Sequence, residues 1–340
     1  MKPIVLLLND LHINKDNTLE FEKNWDEALS VCRNEGIYRI IIGGDVFTTR
    51  GVQYLAPMQS VSKCFDKAQK DGIEVVAAFG NHDCPIYGET KNWLDMYSNQ
   101  IEVVKDWWYI KLGEHTMLAV CPYFPEDSMM PSKLIEFDDF LTRENIPASD
   151  AVVYLHAGVH GALGNFDVPN EIPTELLTKY KKVLCGHYHN RAIIKGTKIE
   201  YIGSSRAHNF GEDEEKGYTL LYENGSTKFV KNQVNIRYAT DDIELTELAE
   251  WESKYDERYK VRLRIHCQSS DVDAVDRDAL FERGAHKIEF VTEKIQAIKA
   301  EQSELEERFD NKELQTEYKT FCKEKDIDSR FGIDYLNKTK

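Results

Sequence analysis

Apolar residues in the first two thirds of this chain come in short unbroken runs, among them Ile4-Val5-Leu6-Leu7-Leu8, Ile40-Ile41-Ile42, Val75-Val76-Ala77 and Val152-Val153-Tyr154-Leu155. Such runs, rich in branched side chains and ended by Gly, Asn or Asp, mark strands buried on both faces. The pattern predicts strands over 4–8, 38–42, 73–77, 101–104, 116–121, 151–155 and 182–184. Between them, apolar positions recur at helical spacing over 19–35, 55–71, 89–98, 133–143 and 174–179. Segments 191–194, 198–202, 217–222 and 227–230 then follow closely, the last two separated by the turn signal Asn224-Gly225. Strands alternating with helices predict an α/β fold, a layered sandwich of central mixed sheets flanked by helices.

The texture changes near residue 232. The acidic stretch around Asp241-Asp242-Ile243-Glu244 reads as a linker, so residues 1–232 form one domain and 233–257 a connection. Residues 258–292 read as strand, helix and strand, a small α+β domain. Residues 293–340 are helical in composition, with a thin stripe of Ile295, Ile298, Leu305, Phe309, Leu314, Tyr318 and Phe321. A stripe this thin needs a surface to pack on, either its own domain or a partner.

Charge narrows the function classes. With 43 Lys and Arg against 59 Asp and Glu, the net charge is −16. A protein that grips a nucleic-acid backbone unaided usually has the opposite sign. No apolar run is long enough to span a bilayer, and the first residues lack the form of a secretory signal, so the expectation is a cytoplasmic protein. The seven cysteines have no Cys-x-x-Cys spacing and mostly apolar neighbours, which reads as reduced structural thiols.

The chemistry is concentrated where the apolar runs end. Asp10-Leu11-His12, Gly44-Asp45, Gly80-Asn81-His82-Asp83, His156 and His187-Tyr188-His189 each deliver metal-binding side chains just after a predicted strand. Open α/β sheets place their ligands at those carboxyl ends. Carboxylate, carboxamide and imidazole donors together suit hard or intermediate divalent cations of the manganese, magnesium or iron type. Asp45, arriving after two glycines, is the choice for a carboxylate shared by two ions. His156 is preferred over His160 because it directly follows its strand.

As a set, these blocks resemble the calcineurin-like metallophosphoesterase superfamily over residues 1 to about 230. The resemblance implies that Asp10, His12, Asp45 and His189 hold one metal ion, and Asp45, Asn81, His156 and His187 the other. His82 would then protonate the leaving oxygen of a phosphoester, with Asp83 orienting it or another imidazole. A narrower likeness joins it. Tyr201-Ile-Gly-Ser-Ser-Arg206, Phe210-Gly-Glu212, Lys216-Gly217 and Gly44-Asp45-Val46-Phe47 are similar to segments of SbcD-type double-strand-break-repair nuclease subunits, whose phage members have a similar length. That family implies a homodimeric, manganese-dependent DNA exonuclease and endonuclease, in which 258–292 caps the site and 293–340 binds a coiled-coil ABC-type ATPase of the SbcC kind. Arg50, Tyr188, Arg191 and Arg206, in loops beside ligand blocks, become candidate contacts to substrate, with His208 a weaker one.

The chain departs from the family at Thr48, where His or Asp often follows Gly-Asp-x-Phe to support the catalytic imidazole; a hydroxyl brings no charge. Two other classes stay open. One is a stand-alone phosphodiesterase or phosphatase acting on a small molecule, nucleotide or phosphoprotein, which the acidity favours. The other is a binding scaffold without catalysis, which the complete ligand set opposes.

Overall fold

A computed structural model of the chain describes residues 2–86, 88–164, 168, 170–293, 318, 319 and 322. They fall into two compact units, Met1–Tyr238 and Ala239–Lys340.

The first unit runs β1 (Pro3–Leu8), α1 (Thr18–Glu35), β2 (Arg39–Gly43), α2 (Leu55–Lys70), β3 (Glu74–Ala78), β4 (Glu102–Val104), β5 (Trp108–Gly113) and β6 (Thr116–Cys121). It continues with α3 (Met129–Arg143), β7 (Ala151–His156), β8 (Lys182–Gly186), β9 (Ala192–Ile193), β10 (Ile199–Tyr201), β11 (Gly217–Tyr222) and β12 (Thr227–Lys231). One six-stranded sheet has the order β12-β11-β1-β2-β3-β4, the other β5-β6-β7-β8-β10-β9. The first is parallel from β1 to β4 and gains the antiparallel β11 and β12 at one margin, and the second is parallel through its middle with the antiparallel β5 and β9 at its two margins.

Alternation along β1 explains the unbroken apolar run. Val5 and Leu7 face the second sheet and meet Val120, Val152 and Leu184. Leu6 and Leu8 face the other way, into a core with Phe21, Trp25, Leu29, Phe65 and Ala68 of α1 and α2. A third apolar layer joins the far side of the second sheet to Met130, Leu134, Phe137 and Leu141 of α3. The unit is therefore helices, sheet, sheet and helix in four layers, the layered α/β sandwich expected from the sequence. No cysteine among the described residues is paired, and none of the described helices is long and apolar enough to cross a membrane.

Three local expectations differ from the structure. The predicted helix at 89–98 is only a 3₁₀ turn, Trp93–Tyr97, where the Asn92 side chain accepts the Leu94 N–H. That local bond competes with a regular helix. The predicted helix at 174–179 is likewise a single turn, Thr174–Leu176. Strand β5 has no counterpart in the sequence prediction. It is an edge strand whose residues are mostly half-buried, so its apolar side chains lack a clean alternation.

The second unit holds a three-stranded sheet, β13 (Arg237–Glu244), β14 (Tyr259–His266) and β15 (Lys287–Val291), with the short helix α4 (Arg277–Glu282) between the last two. The expected linker over 233–257 is corrected here, because much of it is β13 and a 3₁₀ turn, Leu245–Glu247. Its acidic surface hid a strand whose Ile243 packs against the unit's core. Residues 293–340 lie almost wholly outside the described residues.

Candidate metal centre

Parallel strands β1, β2, β3, β7 and β8 deliver the candidate residues from their carboxyl ends, and the two facing sheets bring those ends together. The backbone there is bent out of the strand path. Asp10, His12, Asp45 and His187 have φ of 52°, 44°, 54° and 95°. Side chains other than glycine's pay about 1–3 kcal/mol in that region, so the surrounding packing must hold them there. Two glycines let the loops close. A Cβ at Gly80 would lie 2.1 Å from Asp45 Oδ1, and one at Gly44, itself at φ 112°, 2.4 Å from His156 Nδ1.

Donor atoms of Asp10, His12 and His189 converge, as do those of Asp10, Asp45 and His156, so that each trio could hold a metal ion. Asp45 Oδ2 lies 3.6 Å from His12 Nε2 and 3.4 Å from His156 Nε2, reaching imidazoles on both sides. Asn81 Oδ1 lies 3.1 Å from His156 Nε2 and 3.3 Å from His187 Nδ1, and His12 Nε2 is 3.0 Å from His189 Nε2. All seven candidate ligands are thus brought into one cluster. By the convergence of donors Asp10 belongs to both trios, so the chain offers two carboxylates, not Asp45 alone, at the middle of the site. His160 and the cysteines belong to neither trio.

The electrostatics fit a metal pair. Asp10 and Asp45 are 0% and 2% exposed, and neither pairs with a lysine or arginine among the described residues. Buried carboxylates need a compensating charge. Burial pushes His12 down to about 3, and burial with neighbouring His156 pushes His187 down to about 4, so both imidazoles are neutral and have lone pairs to offer. Burial opposes charge on His156 too, but the Asp45 carboxylate outweighs it and lifts His156 to about 10, so a metal ion taking this imidazole would have to displace a proton from it. Burial raises Asp10 above the ordinary carboxylate range.

His82 stands at the edge of the cluster. Its backbone N–H donates to Asp45 Oδ1 at 2.8 Å, its ring lies 5.0 Å from that of His12, and Nδ1 is 2.7 Å from the Thr48 carbonyl oxygen. A carbonyl only accepts, so Nδ1 carries the proton there and Nε2 is left for other work. Support for His82 at this position therefore comes from the backbone of Thr48. The hydroxyl that was expected to matter is buried without a partner among the described residues.

Several expected roles need correction. Among the described residues Asp83 makes no hydrogen bond to an imidazole. Its carboxylate accepts backbone N–H groups of Gly80, Phe47 and Val46 at 2.9, 2.9 and 3.2 Å, tying the loop after β3 to the loop after β2. Burial, then the Asp45 charge, raises it to about 7. Arg206 is 2% exposed, and its guanidinium donates to the Leu11 and His12 carbonyls, so it lies beneath the metal turn instead of reaching toward substrate. Arg191 is committed to Glu200, the Ile202 carbonyl and Thr219, with its guanidinium over the Phe229 ring. Tyr188 lies beside His187, but its hydroxyl already donates to Glu171. Of the four candidate contacts, Arg50 is the exposed one.

Sequence reasoning missed a layer behind the ligands. Asn9 donates to Asp10 and is held by Tyr154, His208 Nε2 is 2.8 Å from the Asp10 carbonyl oxygen, and Glu212 accepts from His189 Nδ1 at 2.8 Å. The Phe210-Gly-Glu212 motif was visible, but nothing in one dimension tied it to His189.

The family model for calcineurin-like phosphoesterases matches residues 4–224. The chain belongs to that family. It is a metallophosphoesterase, and the Asp and His cluster described above is its dimetal site. No curated protein matches this phosphoesterase. Among solved structures it is similar to a dimetal phosphatase from Danio rerio, at 11% identity over 65% of this chain and 94% of that one, with a TM-score of 0.41. It is also similar to the Pseudomonas putida nuclease MPE, at 15% identity over 65% and 84%, with a TM-score of 0.31.

Proposed function

We propose that this phosphoesterase is the nuclease subunit of an SbcCD-like repair or recombination complex, a DNA exonuclease and endonuclease. Segment 201–216 carries the reading. It is the part with the narrowest SbcD-type resemblance, and its Arg206, His208, Glu212 and Lys216 bind the Asp10–His12 turn and His189. The proposed assembly is a cytoplasmic homodimer with a coiled-coil ABC-type ATPase, in a bacterium or in a host carrying a phage. Residues 258–292 would be the cap and residues 293–340 the ATPase-binding segment.

Asp10, His12, Asp45 and His189 would hold one divalent ion, and Asp45, Asn81, His156 and His187 the other, with manganese preferred and magnesium or iron as alternatives. When bound, such a pair supplies Lewis acidity toward a phosphodiester and activates water for in-line attack. His82, fixed through Nδ1 by the Thr48 carbonyl, would deliver a proton from Nε2 to the leaving oxygen when both of its ring nitrogens carry protons, the Nδ1 proton staying hydrogen-bonded to the carbonyl. Asp83 acts on neither substrate nor His82; it holds the two loops that present Asp45 and Asn81.

A second reading, a stand-alone phosphodiesterase or phosphatase on a small molecule, nucleotide or phosphoprotein, has its own support. Arg191 and Arg206 are spent internally, and a net charge of −16 offers little grip on a polyanion. End-labelled linear duplex DNA and a generic aryl phosphodiester, each with manganese, separate the two. The nuclease reading expects loss of label with wild type and at least a hundredfold less with His82→Ala. Hydrolysis of the aryl ester without any cutting of DNA, even with the ATPase partner present, would sink it in favour of the second.

A further inference from the structure

The imidazoles of the cluster are backed in unequal ways. His156 Nδ1 lies 2.9 Å from the Gly43 carbonyl oxygen, a neutral acceptor. His189 Nδ1 instead meets the Glu212 carboxylate at 2.8 Å. That carboxylate is itself immobilised. Oε1 also accepts from Asn209 Nδ2 at 2.9 Å, while Oε2 accepts the His208 backbone N–H at 3.1 Å and lies 3.2 Å from Lys216 Nζ.

Lys216 closes the arrangement. It is 0% exposed, and its ammonium donates to the His189 carbonyl oxygen at 2.6 Å and to Asn190 Oδ1 at 3.0 Å. The same segment grips the other two members of the first trio, through Arg206 on the Leu11 and His12 carbonyls and His208 on the Asp10 carbonyl. Asp10 and His12 are two of the residues at positive φ. A carboxylate on the far nitrogen fixes the tautomer and the ring plane of an imidazole and makes it a stronger donor toward a metal.

We infer that Glu212, locked by Lys216, is a positioning residue that makes the Asp10–His12–His189 side the tighter of the two metal positions, the one that stays loaded when metal is scarce. This rests on the dimetal reading of the same cluster.

Manganese titration of the full chain by calorimetry, with free ion counted by electron paramagnetic resonance, tests it without using activity. Wild type is expected to take up two ions with separable affinities, and Glu212→Gln to weaken one of them by about 10–100-fold while sparing the other. In a His189→Ala background the same substitution should change nothing further, and in a His187→Ala background it should act in full. Because Glu212→Gln also strands the Lys216 charge, Glu212→Gln/Lys216→Met is titrated beside it, with circular dichroism to confirm folding, and the same selective weakening is expected. Unchanged affinities, or an equal loss at both positions, would overturn the assignment of Glu212 alone. Failure of folded wild type to bind manganese would overturn the dimetal reading, and this inference with it.

Discussion

The two units of this chain use their sheets differently. In the first, both faces of each sheet are covered, and the central strands are buried along nearly their whole length. In the second, β14 alternates strictly, with Val261, Leu263 and Ile265 buried and Lys260, Arg262, Arg264 and His266 on the opposite face. A strand packed on both faces between two apolar cores has little room for its end to shift, so an abrupt bend there is held in place by the packing on either side. Asp10, His12, Asp45 and His187, at positive φ, stand just beyond such strand ends, whereas Asn145 and Asn170, also at positive φ, lie elsewhere. Among the described residues of the second unit, only Gly284 has positive φ, and no trio of candidate metal ligands is found. Double-sided burial is thus what lets the first unit hold strained ligand turns, and among its described residues the second unit shows no such turn.

The hardest test of this contrast is Gly80→Ala. A Cβ there has no room beside Asp45, so turnover of an aryl phosphodiester should fall by at least about a hundredfold, since displacement of about 1 Å at such a site costs that much. The circular dichroism should stay that of a folded chain. Turnover within a few-fold of wild type would mean that the loops are compliant and the strain argument is wrong.

A change of intermediate size probes the other unit. Leu263→Ala empties a fully buried position and should cost the second unit about 2–5 kcal/mol, read by amide hydrogen exchange of β13 to β15. Hydrolysis of the small ester should persist, because every candidate ligand lies in the first unit. Parallel loss of both would show that the units are not separable in this sense.

The smallest expected effect belongs to Thr48→Val. The hydroxyl has no partner among the described residues, whereas the carbonyl that meets His82 belongs to any residue at that position. Stability should change by no more than about 1 kcal/mol and kcat by less than about threefold. A tenfold loss of kcat would return a catalytic role to the hydroxyl.

Legibility followed the same divide. Continuous apolar runs exposed β1, β2, β3 and β7, and the ligand blocks stood out because each interrupts such a run with residues that a strand would not choose. Strand β13 was hidden because, of its residues, Ile243 alone packs against the apolar core of the unit and its acidic residues resemble a linker. Strand β5, at an edge, left a similarly weak trace. Arg206 and Arg191 were misread for a different reason. An arginine in a loop beside a ligand block looks the same in sequence whether its guanidinium faces solvent or buried backbone carbonyls.

What the sequence alone determined is local and periodic: which segments form the central buried strands, that their carboxyl ends carry hard-metal donors, and hence the layered α/β class. Those properties depend on spacing along one chain, which one dimension contains in full. The tertiary structure decided what meets across long separations. It set His189 against Glu212, the Thr48 carbonyl against His82, and Arg206 beneath Leu11 and His12. Such partners are chosen by the packing of two sheets against each other, and a buried polar group takes whichever acceptor that packing brings within about 3 Å.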